Sequence, residues 1–527
     1  MLNKIKKINL DILIFLSLFL HILFFFYLFI NGGYFDFQLP VEAREYASTS
    51  SILSFLNNKN PFAIENFPLS INAYSALHPF IVGKVLEFLN IQEFKNIVFI
   101  SRSISFGIFC VFIIYFFIHF YKKKIELNLI LFSIIFFIIS VSSKISLGTW
   151  GNGIGLVLYS ISILKALDKS SKINYLTSSI CLILSIHFKF YFILGVLFIL
   201  MRYYDKIFQK DYIYQNIIII LTSIFIFCIH YIYFPSFYFV SILNQINLTQ
   251  FKEFEYLTFI FSKKLYSELF FVFKNYFYLF ILFFYSIYLS LKQEKLLIKK
   301  FLIDTVFFLI FIYFLIFKLW PNMGNHGTYT NNLLIPFIIA YTINNQVKYR
   351  KLYLNIFIII VLIFPLTTSI FNFNYPGALT KNEQSLNILS KKKIIDELST
   401  DENIYIDHFI KNLDHTNTID EMLYFNGNTL HITENSILSY QNNFVRKIFK
   451  LEDLYYYYKE NKNIAFDEIN KNYSGSICVF ICFNSSLGYD FDVFDYKKYE
   501  LKEKVEIINI FGQSYKVNIF RENNEKR

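Results

Sequence analysis

Residues 11–30 read DILIFLSLFLHILFFFYLFI, and residues 31–45 continue as NGGYFDFQLPVEARE. The first stretch has the roughly 20 apolar residues that an α-helix needs to cross a membrane. No small-residue cleavage site follows it, so the pattern predicts an uncleaved first membrane helix rather than a signal peptide. The second stretch is polar and carries carboxylates directly outside that helix. We therefore expect chemistry at a membrane surface, on a substrate that is itself bound to lipid.

The composition of the whole chain is that of a membrane protein. Of its 527 residues, 55% are hydrophobic and 21% are aromatic, which is more apolar surface than a water-soluble domain can bury. The net charge of +11 would suggest a nucleic-acid partner in a soluble protein. Here the basic residues lie mostly between apolar stretches, where they indicate orientation in a membrane. We expect no nucleic acid among the partners.

Ten further apolar stretches follow the first, which predicts about eleven membrane-spanning helices. Several are shorter than the length of a full crossing, so they are expected to tilt or to extend. The pair 174–187 and 190–201 is ambiguous, because one kinked helix would explain it as well as two crossings. The predicted spans are 11–30, 97–120, 127–143, 152–167, 174–187, 190–201, 214–234, 276–291, 301–319, 329–344 and 352–371.

The charges of the connecting loops predict the orientation of these spans. Lysine-rich loops, such as 122–124 and 292–300, alternate with loops that carry few basic residues, such as the loop with Lys144 alone. By the positive-inside rule, this alternation puts the N-terminus in the cytoplasm, provided that 174–201 crosses twice. An odd number of spans then puts residues 31–96, and everything after about 372, on the outer face.

The first outer loop, residues 31–96, is long for a connection and only partly apolar. Its segments 42–57 and 72–90 are predicted to be helices that lie along the membrane interface. Prolines punctuate these segments, as expected where a chain turns between short helices.

The composition changes at about residue 376, where apolar runs become short and charges frequent. Strands are predicted at 404–406 and 476–483, and a hairpin at 503–511 and 514–521. Residues 1–375 are therefore predicted to form an all-α polytopic membrane domain, and residues 376–527 a soluble extracytoplasmic α/β domain.

Five short motifs in residues 1–345 occur in the order typical of one family. In this order the chain resembles the GT-C superfamily of polytopic glycosyltransferases, and within it the bacterial dolichyl-phosphate-mannose mannosyltransferase-like and aminoarabinose transferase-like group. The resemblance rests on order and spacing, and it implies a GT-C-like fold. The motifs are Glu42-Ala-Arg-Glu-Tyr46, Pro61-Phe62 with Tyr74-Ser-Ala-Leu-His78-Pro79, Ser101-Arg102-Ser-Ile-Ser-Phe-Gly107, His187-Phe-Lys189-Phe-Tyr191, and Asn322 to Tyr329 followed by Pro336.

The acidic motif of the family implies a catalytic role for Glu42. A carboxylate near the acceptor can act as a general base and contribute roughly 10²–10⁴-fold to the rate. Many relatives carry two adjacent acids where this chain has Val41-Glu42, so Glu45 and Asp36 remain alternatives for the base. The simpler interpretation is that Glu42 is an exposed loop carboxylate.

The other motifs imply contacts with the substrates. Arg102 and Lys189 would bind the phosphate of the donor, because cations at membrane depth are costly unless an anion accompanies them. His78, His326 and Tyr329 would contact the substrates. The simpler alternatives are that Arg102 extends to the interface, that Lys189 lies in an outer turn, and that the other three are structural.

The resemblance implies an enzyme that transfers a hexose or pentose from a polyprenyl-phosphate donor, with inversion. The acceptor would be a glycan, lipid or protein at the outer face of the inner membrane. Neither a cofactor nor a metal site is predicted, because the outer loops of the membrane part lack metal-ligand spacing such as His-x₃-His or Asp-x-Asp. A divalent ion remains open because some distant relatives use one.

Two other classes of membrane protein compete with the transferase. A transporter or flippase usually shows two related halves and broken helices near mid-membrane, and the sequence shows no such halves. An O-antigen polymerase or ligase is expected to have its largest outer loop late in the chain, whereas the late loop 320–329 is short.

Overall fold

The computed structural model describes mainly residues 76–234, apart from 92–93, 126, 142–151 and 169–170. It also describes scattered helical residues between 12 and 56, residues 306 and 336, and the backbone of five strands between 403 and 522. The chain divides into two compact units. The first comprises Met1–Asp36, Arg102–Cys228 and Glu255–Gly377, and the second comprises Phe37–Ser101, Ile229–Phe254 and Ala378–Arg527.

Helices make up most of residues 76–234. Single turns of 3₁₀-helix, Phe190–Ile193 and Lys210–Tyr212, precede the last two helices. The α-helices are α1 (Leu77–Phe88), α2 (Phe94–Lys122), α3 (Leu127–Val141), α4 (Asn152–Leu167), α5 (Lys172–Phe188), α6 (Leu194–Tyr203) and α7 (Ile213–Tyr233).

Two of the described helices are long and apolar enough to cross a membrane. They correspond to Phe99–Lys122 and Lys210–Tyr233, each of 24 residues. Only 28% of the apolar window of the first and 11% of that of the second is buried within the protein. A core helix of a soluble protein would be mostly covered, so these exposed apolar surfaces support membrane association. The number of spans stays a prediction.

The α2–α3 turn folds α3 back along α2. Lys124 has a φ of 57°, and the N–H of Ile125 donates to the carbonyl of Phe120 at 3.2 Å, which is the hydrogen bond of a Schellman helix end. Beyond the turn, the ring of Phe137 lies 5.3 Å from that of Phe112. The two helices are therefore antiparallel neighbours joined by a short connection.

Small residues bring α4 and α5 close together. The hydroxyl of Ser178 donates to the carbonyl of Ser162 at 2.8 Å. A Cβ atom on Gly155 would lie 3.1 Å from Cβ of Phe188 and 2.8 Å from Cε2 of Phe192. An earlier residue of α4, Gly155, contacts the end of α5, whereas a later one, Ser162, contacts the middle of α5. The two helices therefore run antiparallel.

The chain reverses direction at Lys189, between α5 and α6. Lys189 is extended, with φ −158° and ψ 118°, which ends α5. The ring of Tyr175 near the start of α5 lies 4.9 Å from that of Tyr203 at the end of α6. A Cβ atom on Gly195 would lie 2.7 Å from Leu182. The ambiguous pair is therefore two antiparallel helices and not one kinked helix. Whether each crosses the membrane stays a prediction.

The ends of five helices meet at one end of the first unit, which we call the basic end. Lys123 after α2 bonds the carboxylate of Asp168 after α4. Arg202 of α6 donates to the carbonyl of Ala166 in α4 at 3.2 Å. Tyr175 of α5 donates to Asn216 of α7 at 2.9 Å. The basic residues described at this end are Lys122, Lys123, Lys124, Lys165, Lys172, Arg202, Lys206 and Lys210.

Three loops that the sequence predicts to be cytoplasmic are thus gathered at a single end. They are 122–124, 165–172 and 202–210, and contacts between neighbouring helix ends join them. The charge alternation is therefore consistent with how the described helices pack. The side of the membrane that this end faces stays a prediction.

The helix α1 lies in the second unit, within the predicted first outer loop. Pro79 stands in its first turn, where the missing N–H costs no hydrogen bond. Asn90 follows its end with a φ of 54°. Nearby in the chain, Ser51 and Ile52 are helical and buried, and a Cβ atom on Gly83 would lie 3.4 Å from Cβ of Phe55. Residues from both predicted interfacial helices therefore pack together.

The strands of the second unit are β1 (Asn403–Ile406), β2 (Thr429–Ile432), β3 (Ser476–Phe480), β4 (Tyr499–Ile508) and β5 (Ser514–Glu522). They form one mixed sheet in the order β2-β1-β3-β5-β4. β1 runs parallel to β2 and β3, whereas β5 runs antiparallel to β3 and β4. The predicted strands and the hairpin overlap β1, β3 and the β4–β5 pair, although the bounds differ by up to four residues, and β2 was not predicted. Parallel neighbours require long crossover connections, which suits an α/β domain. That class stays a prediction, because the connecting segments lie outside the described residues.

Candidate functional site

Arg102 is a fully buried cation in a helix that is otherwise strongly apolar. Its relative exposure is 0%, as is that of Ser105 one turn later on the same face. Arg102 lies twenty residues before Lys122, which is about 30 Å along the helix from the basic end. Its side chain is therefore enclosed by the protein and does not reach solvent.

Lys189 is the second buried cation of the first unit. It is 9% exposed, and its N–H donates to the carbonyl of Ser185 at 2.9 Å. It follows α5, whose 17 residues span about 26 Å from the basic end. Buried aromatic side chains surround the corner, with the rings of Tyr191 and Phe192 4.5 Å apart and that of Tyr159 5.0 Å from Phe192.

Arg102 and Lys189 share their position along the helices. Each lies at the end of its helix remote from the basic end, and each is largely closed off from solvent. The charges of the basic end are mostly exposed, whereas these two are not. A cation in such surroundings must contact an anion or strongly polar groups. Both residues therefore stay candidates for binding a phosphate.

His78 lies in the second unit and contacts a residue that the sequence did not single out. Its Nδ1 atom is 3.2 Å from the hydroxyl oxygen of Ser48, and the two residues are 30 positions apart in the chain. Both side chains are buried. Within the described part of the chain, no hydrogen-bond partner is found for Nε2 of His78. The second ring nitrogen is thus a buried polar atom with capacity for one more bond.

Burial determines the protonation state of His78. Removal from water disfavours the charged imidazolium and lowers the pKa of His78 to about 3. At neutral pH the ring is therefore uncharged, with one nitrogen as donor and the other as acceptor. It can position a neutral polar group such as a sugar hydroxyl, but it supplies no positive charge to a phosphate.

Aromatic side chains form a cluster elsewhere in the second unit. The ring of Phe234 lies 5.2 Å from Phe55 and 5.4 Å from Phe80, against the buried Ala76. The edge-to-face geometry of these pairs is the favoured one for aromatic packing. The cluster joins the chain after α7 to residues from the first outer loop.

A polar cluster at the basic end was not predicted. Asp168 binds Lys123, and Nε2 of His119 lies 3.5 Å from the same carboxylate oxygen. Burial opposes ionisation of Asp168, but the polar contacts with His119 and Lys123 outweigh it and hold the pKa of this carboxyl below its usual value. His119 and Lys123 are four residues apart, so they share a helix face. Sequence spacing could not reveal Asp168, 45 residues from Lys123.

Four predicted site residues lie outside the described residues: Glu42, Glu45, His326 and Tyr329. The alternative base Asp36 does too. Their predicted roles stay predictions.

Metal binding has no candidate among the described residues. No three His, Cys, Asp or Glu side chains in that part of the chain come together as ligands for a metal ion. Since the predicted acidic residues are not in that part, the expectation of a metal-free enzyme stays a prediction.

Comparison with known proteins gives no relative for this chain. No protein-family profile, no curated protein and no solved structure matches it.

Proposed function

We propose that this protein is an integral membrane glycosyltransferase that moves a sugar from a polyprenyl-phosphate donor to a glycan, lipid or protein acceptor. The observation that carries the proposal is the burial of Arg102 and Lys189, 0% and 9% exposed, remote from the basic end. Arginine and lysine are rare within membrane helices and mark substrate or ion sites there. The phosphate of a lipid-linked donor is an anion that an arginine and a lysine can bind through charge-assisted hydrogen bonds.

The reaction needs a base but no acid. The acceptor O–H or N–H loses its proton to Glu42, and the acceptor atom forms a bond to the anomeric carbon of the sugar. The bond from that carbon to the phosphate oxygen breaks, and its electron pair leaves with the polyprenyl phosphate. The leaving group is already an anion, so Arg102 and Lys189 stabilise its charge. A single displacement inverts the anomeric centre.

The remaining groups would position the substrates. The neutral ring of His78 suits a sugar or acceptor hydroxyl, and His326 and Tyr329 are proposed as further contacts. Glu45 is the alternative base. If the predicted helix 42–57 begins at Glu42, Glu45 precedes Ser48 by three residues on the same helix face, which would bring the carboxylate near His78.

The proposed architecture follows the sequence. A GT-C-like membrane domain, residues 1–375, of about eleven helices would lie in the cell inner membrane with the N-terminus in the cytoplasm. The first outer loop, residues 31–96, and the α/β domain of residues 376–527 would lie on the outer face, where the lipid-linked donor is used.

The decisive experiment replaces Glu42 by Gln in the full-length protein and measures transfer of radiolabelled sugar from a polyprenyl-phosphate donor. We expect turnover to fall at least about 100-fold with donor binding retained, because the base is lost but the phosphate site is intact. The matched control is Glu87→Gln, which changes a carboxylate that is 60% exposed in its pair with Lys84 and should leave turnover unchanged. Full activity of Glu42→Gln would refute this base. A flippase would move the lipid without breaking the sugar–phosphate bond.

The phosphate role of Arg102 has its own prediction. Arg102→Ala should weaken donor binding about 10-fold or more while changing acceptor affinity little, since the charge-assisted bonds to phosphate are lost. Arg102→Lys should recover part of the affinity. The control Arg202→Ala removes an arginine that bonds the carbonyl of Ala166 at the basic end. A larger effect on acceptor than on donor would contradict the assignment.

A further inference from the structure

The basic end of the first unit carries far more positive than negative charge. The described residues there include eight Lys and Arg side chains against three Asp, namely Asp168, Asp205 and Asp211. Two of the three acids are already engaged within the protein. Asp168 binds Lys123, and Asp211 lies 3.8 Å from Lys172. The surplus of positive charge is therefore presented outward.

Large apolar side chains stand exposed among these cations. Phe208 is 92% exposed, Tyr214 75%, Ile173 75% and Tyr121 63%. Four such side chains in contact with water would be costly at one end of a protein. Aromatic residues next to lysines are typical of the layer where lipid headgroups meet the hydrocarbon. The same end thus has both the charge and the apolar surface of a membrane interface.

The exposed lysines lie on separate connections that the fold gathers. Lys122 is the last residue of α2, Lys124 follows that helix, and Lys210 precedes α7. Tyr121 and Tyr214 are near neighbours of these lysines in the chain. Contacts of Asp168 and Asn216 with other helices hold the connections in place. The basic surface is therefore built by packing and not by a single run of lysines.

We propose that the basic end binds the headgroups of anionic phospholipids, with Lys122, Lys124 and Lys210 contacting the phosphates and Phe208 inserted among the acyl chains. The proposal is independent of the transferase reaction, because the surface lies about 26–30 Å along the helices from Lys189 and Arg102. A membrane surface fits better than nucleic acid, since the exposed Phe208 and Ile173 favour an apolar layer. The headgroup of an anionic lipid supplies phosphate and that layer together.

The test uses the purified full-length protein in mixed micelles that contain equal amounts of phosphatidylglycerol and phosphatidylcholine. The measurement is the ratio of the two lipids retained on the protein. The test variant is K122Q/K124Q/K210Q. The charge-preserving variant is K122R/K124R/K210R, and the matched control is K391Q/K392Q/K393Q, which removes three lysines from the C-terminal segment.

The wild type should retain phosphatidylglycerol preferentially. In the glutamine variant the ratio of retained phosphatidylglycerol to phosphatidylcholine should fall at least about tenfold, because each lysine beside an anionic surface contributes roughly fivefold to binding. The arginine variant and the control should keep it. An unchanged preference in the glutamine variant, or an equal loss in the control, would overturn the proposal. So would full displacement of the lipid by 10 mM inorganic phosphate, which would indicate a site for free phosphate. A further variant, Phe208→Ser, should retain less of both lipids.

Discussion

His78 combines three properties that seldom occur together in a structural histidine. It is completely buried, one ring nitrogen contacts Ser48, and the other has no hydrogen-bond partner among the described residues. A buried polar atom without a partner costs roughly 1–3 kcal/mol. Such a cost is tolerated where a substrate later completes the bond, so the orphan nitrogen favours a role in binding over one in packing alone.

The two nitrogens of His78 can be tested separately. The amide of His78→Gln reaches the position of Nε2, and that of His78→Asn reaches the position of Nδ1. If Nε2 binds substrate, the glutamine variant should retain transfer activity while the asparagine variant raises KM about tenfold. Steady-state kinetics on both variants measures this. The reverse order would assign His78 a purely structural bond to Ser48.

The titration of His78 also predicts a dependence of stability on pH. The folded pKa of His78, about 3, lies below the unfolded value near 6.5. The contribution of His78 to the free energy of unfolding is therefore complete above about pH 6.5. It declines as the pH falls, because His78 is protonated in the unfolded state but not in the folded state. From pH 6.5 to 4.5 the wild type should lose roughly 2–3 kcal/mol more than His78→Gln. Chemical unfolding at each pH measures the difference, and the two proteins should share the same slope between pH 7 and 8.

In Asp168 the charged form is the stabilised one, whereas in His78 it is the neutral form. Asp168→Asn should destabilise the fold by about 1–2 kcal/mol at neutral pH, since Lys123 and His119 lose their anion. Because the pKa of Asp168 is lowered in the folded state, the wild type should be more stable than Asp168→Asn above about pH 4. This difference in the free energy of unfolding should disappear as the pH falls further. The control is Asp211→Asn. It removes the carboxylate of an ion pair in which Asp211 is 78% exposed and Lys172 is 49% exposed. Such an exposed pair contributes little, so equal losses in both variants would contradict the assignment.

At the scale of the helix, Gly155 determines how closely α4 and α5 approach. Its missing Cβ would lie 3.1 Å from Cβ of Phe188, an atom fixed to the backbone of α5. Gly155→Ala should therefore cost about 1–2 kcal/mol, because overpacking outweighs the gain in helix propensity. Gly107→Ala is the matched control, since no atom lies within 4 Å of that position. It should gain up to about 1 kcal/mol. Thermal unfolding in detergent compares the two, and a stabilised Gly155→Ala would mean that α4 and α5 are not tightly packed.

The helices in the first half of the chain could be predicted from apolar length alone. The prediction of 152–167 coincides with α4, and 214–234 differs from α7 by one residue at each end. Apolar length alone could not decide the reversal at Lys189, because a kinked helix and a helical hairpin have the same hydropathy. The alternation of basic loops favoured two crossings. Packing of Gly195 against Leu182 and Tyr159 decides between the kinked helix and the hairpin. That information lies in contacts between distant residues.

The candidate site was predictable to a similar degree. Arg102 and Lys189 stood out because charged residues interrupt apolar stretches, and both are buried. Their contact with a phosphate stays a prediction. Ser48 did not stand out, since a serine in a predicted helix is common and its partner His78 is 30 residues away. Asp168 was missed for the same reason. Sequence patterns reveal residues that are unusual in their own surroundings, whereas polar partnerships across helices depend on the three-dimensional packing.

At the scale of the whole molecule, the basic end and the buried cations give each helix from α2 to α7 a direction. α2, α4 and α6 each run toward the basic end, and α3, α5 and α7 away from it, as six sequential crossings would. The end with exposed cations would then bind lipid headgroups, and the opposite end, with the buried cations, would hold the catalytic site. Such a division would suit the proposed transferase, because a fixed depth in the membrane would set where the donor phosphate meets Arg102.

The predicted orientation can be tested with single cysteines in a variant that lacks the five natural ones. Lys206→Cys lies at the basic end, and Lys391→Cys lies in the C-terminal segment. A membrane-impermeant maleimide applied to cells with a permeable outer envelope should label position 391 in the intact cells. Position 206 should be labelled only after the inner membrane is opened, because lysine-rich loops remain in the cytoplasm. Labelling of both positions from outside would mean an even number of crossings between them, with the basic end facing outward, and would exclude lipid-linked transfer at the opposite end on the outer face.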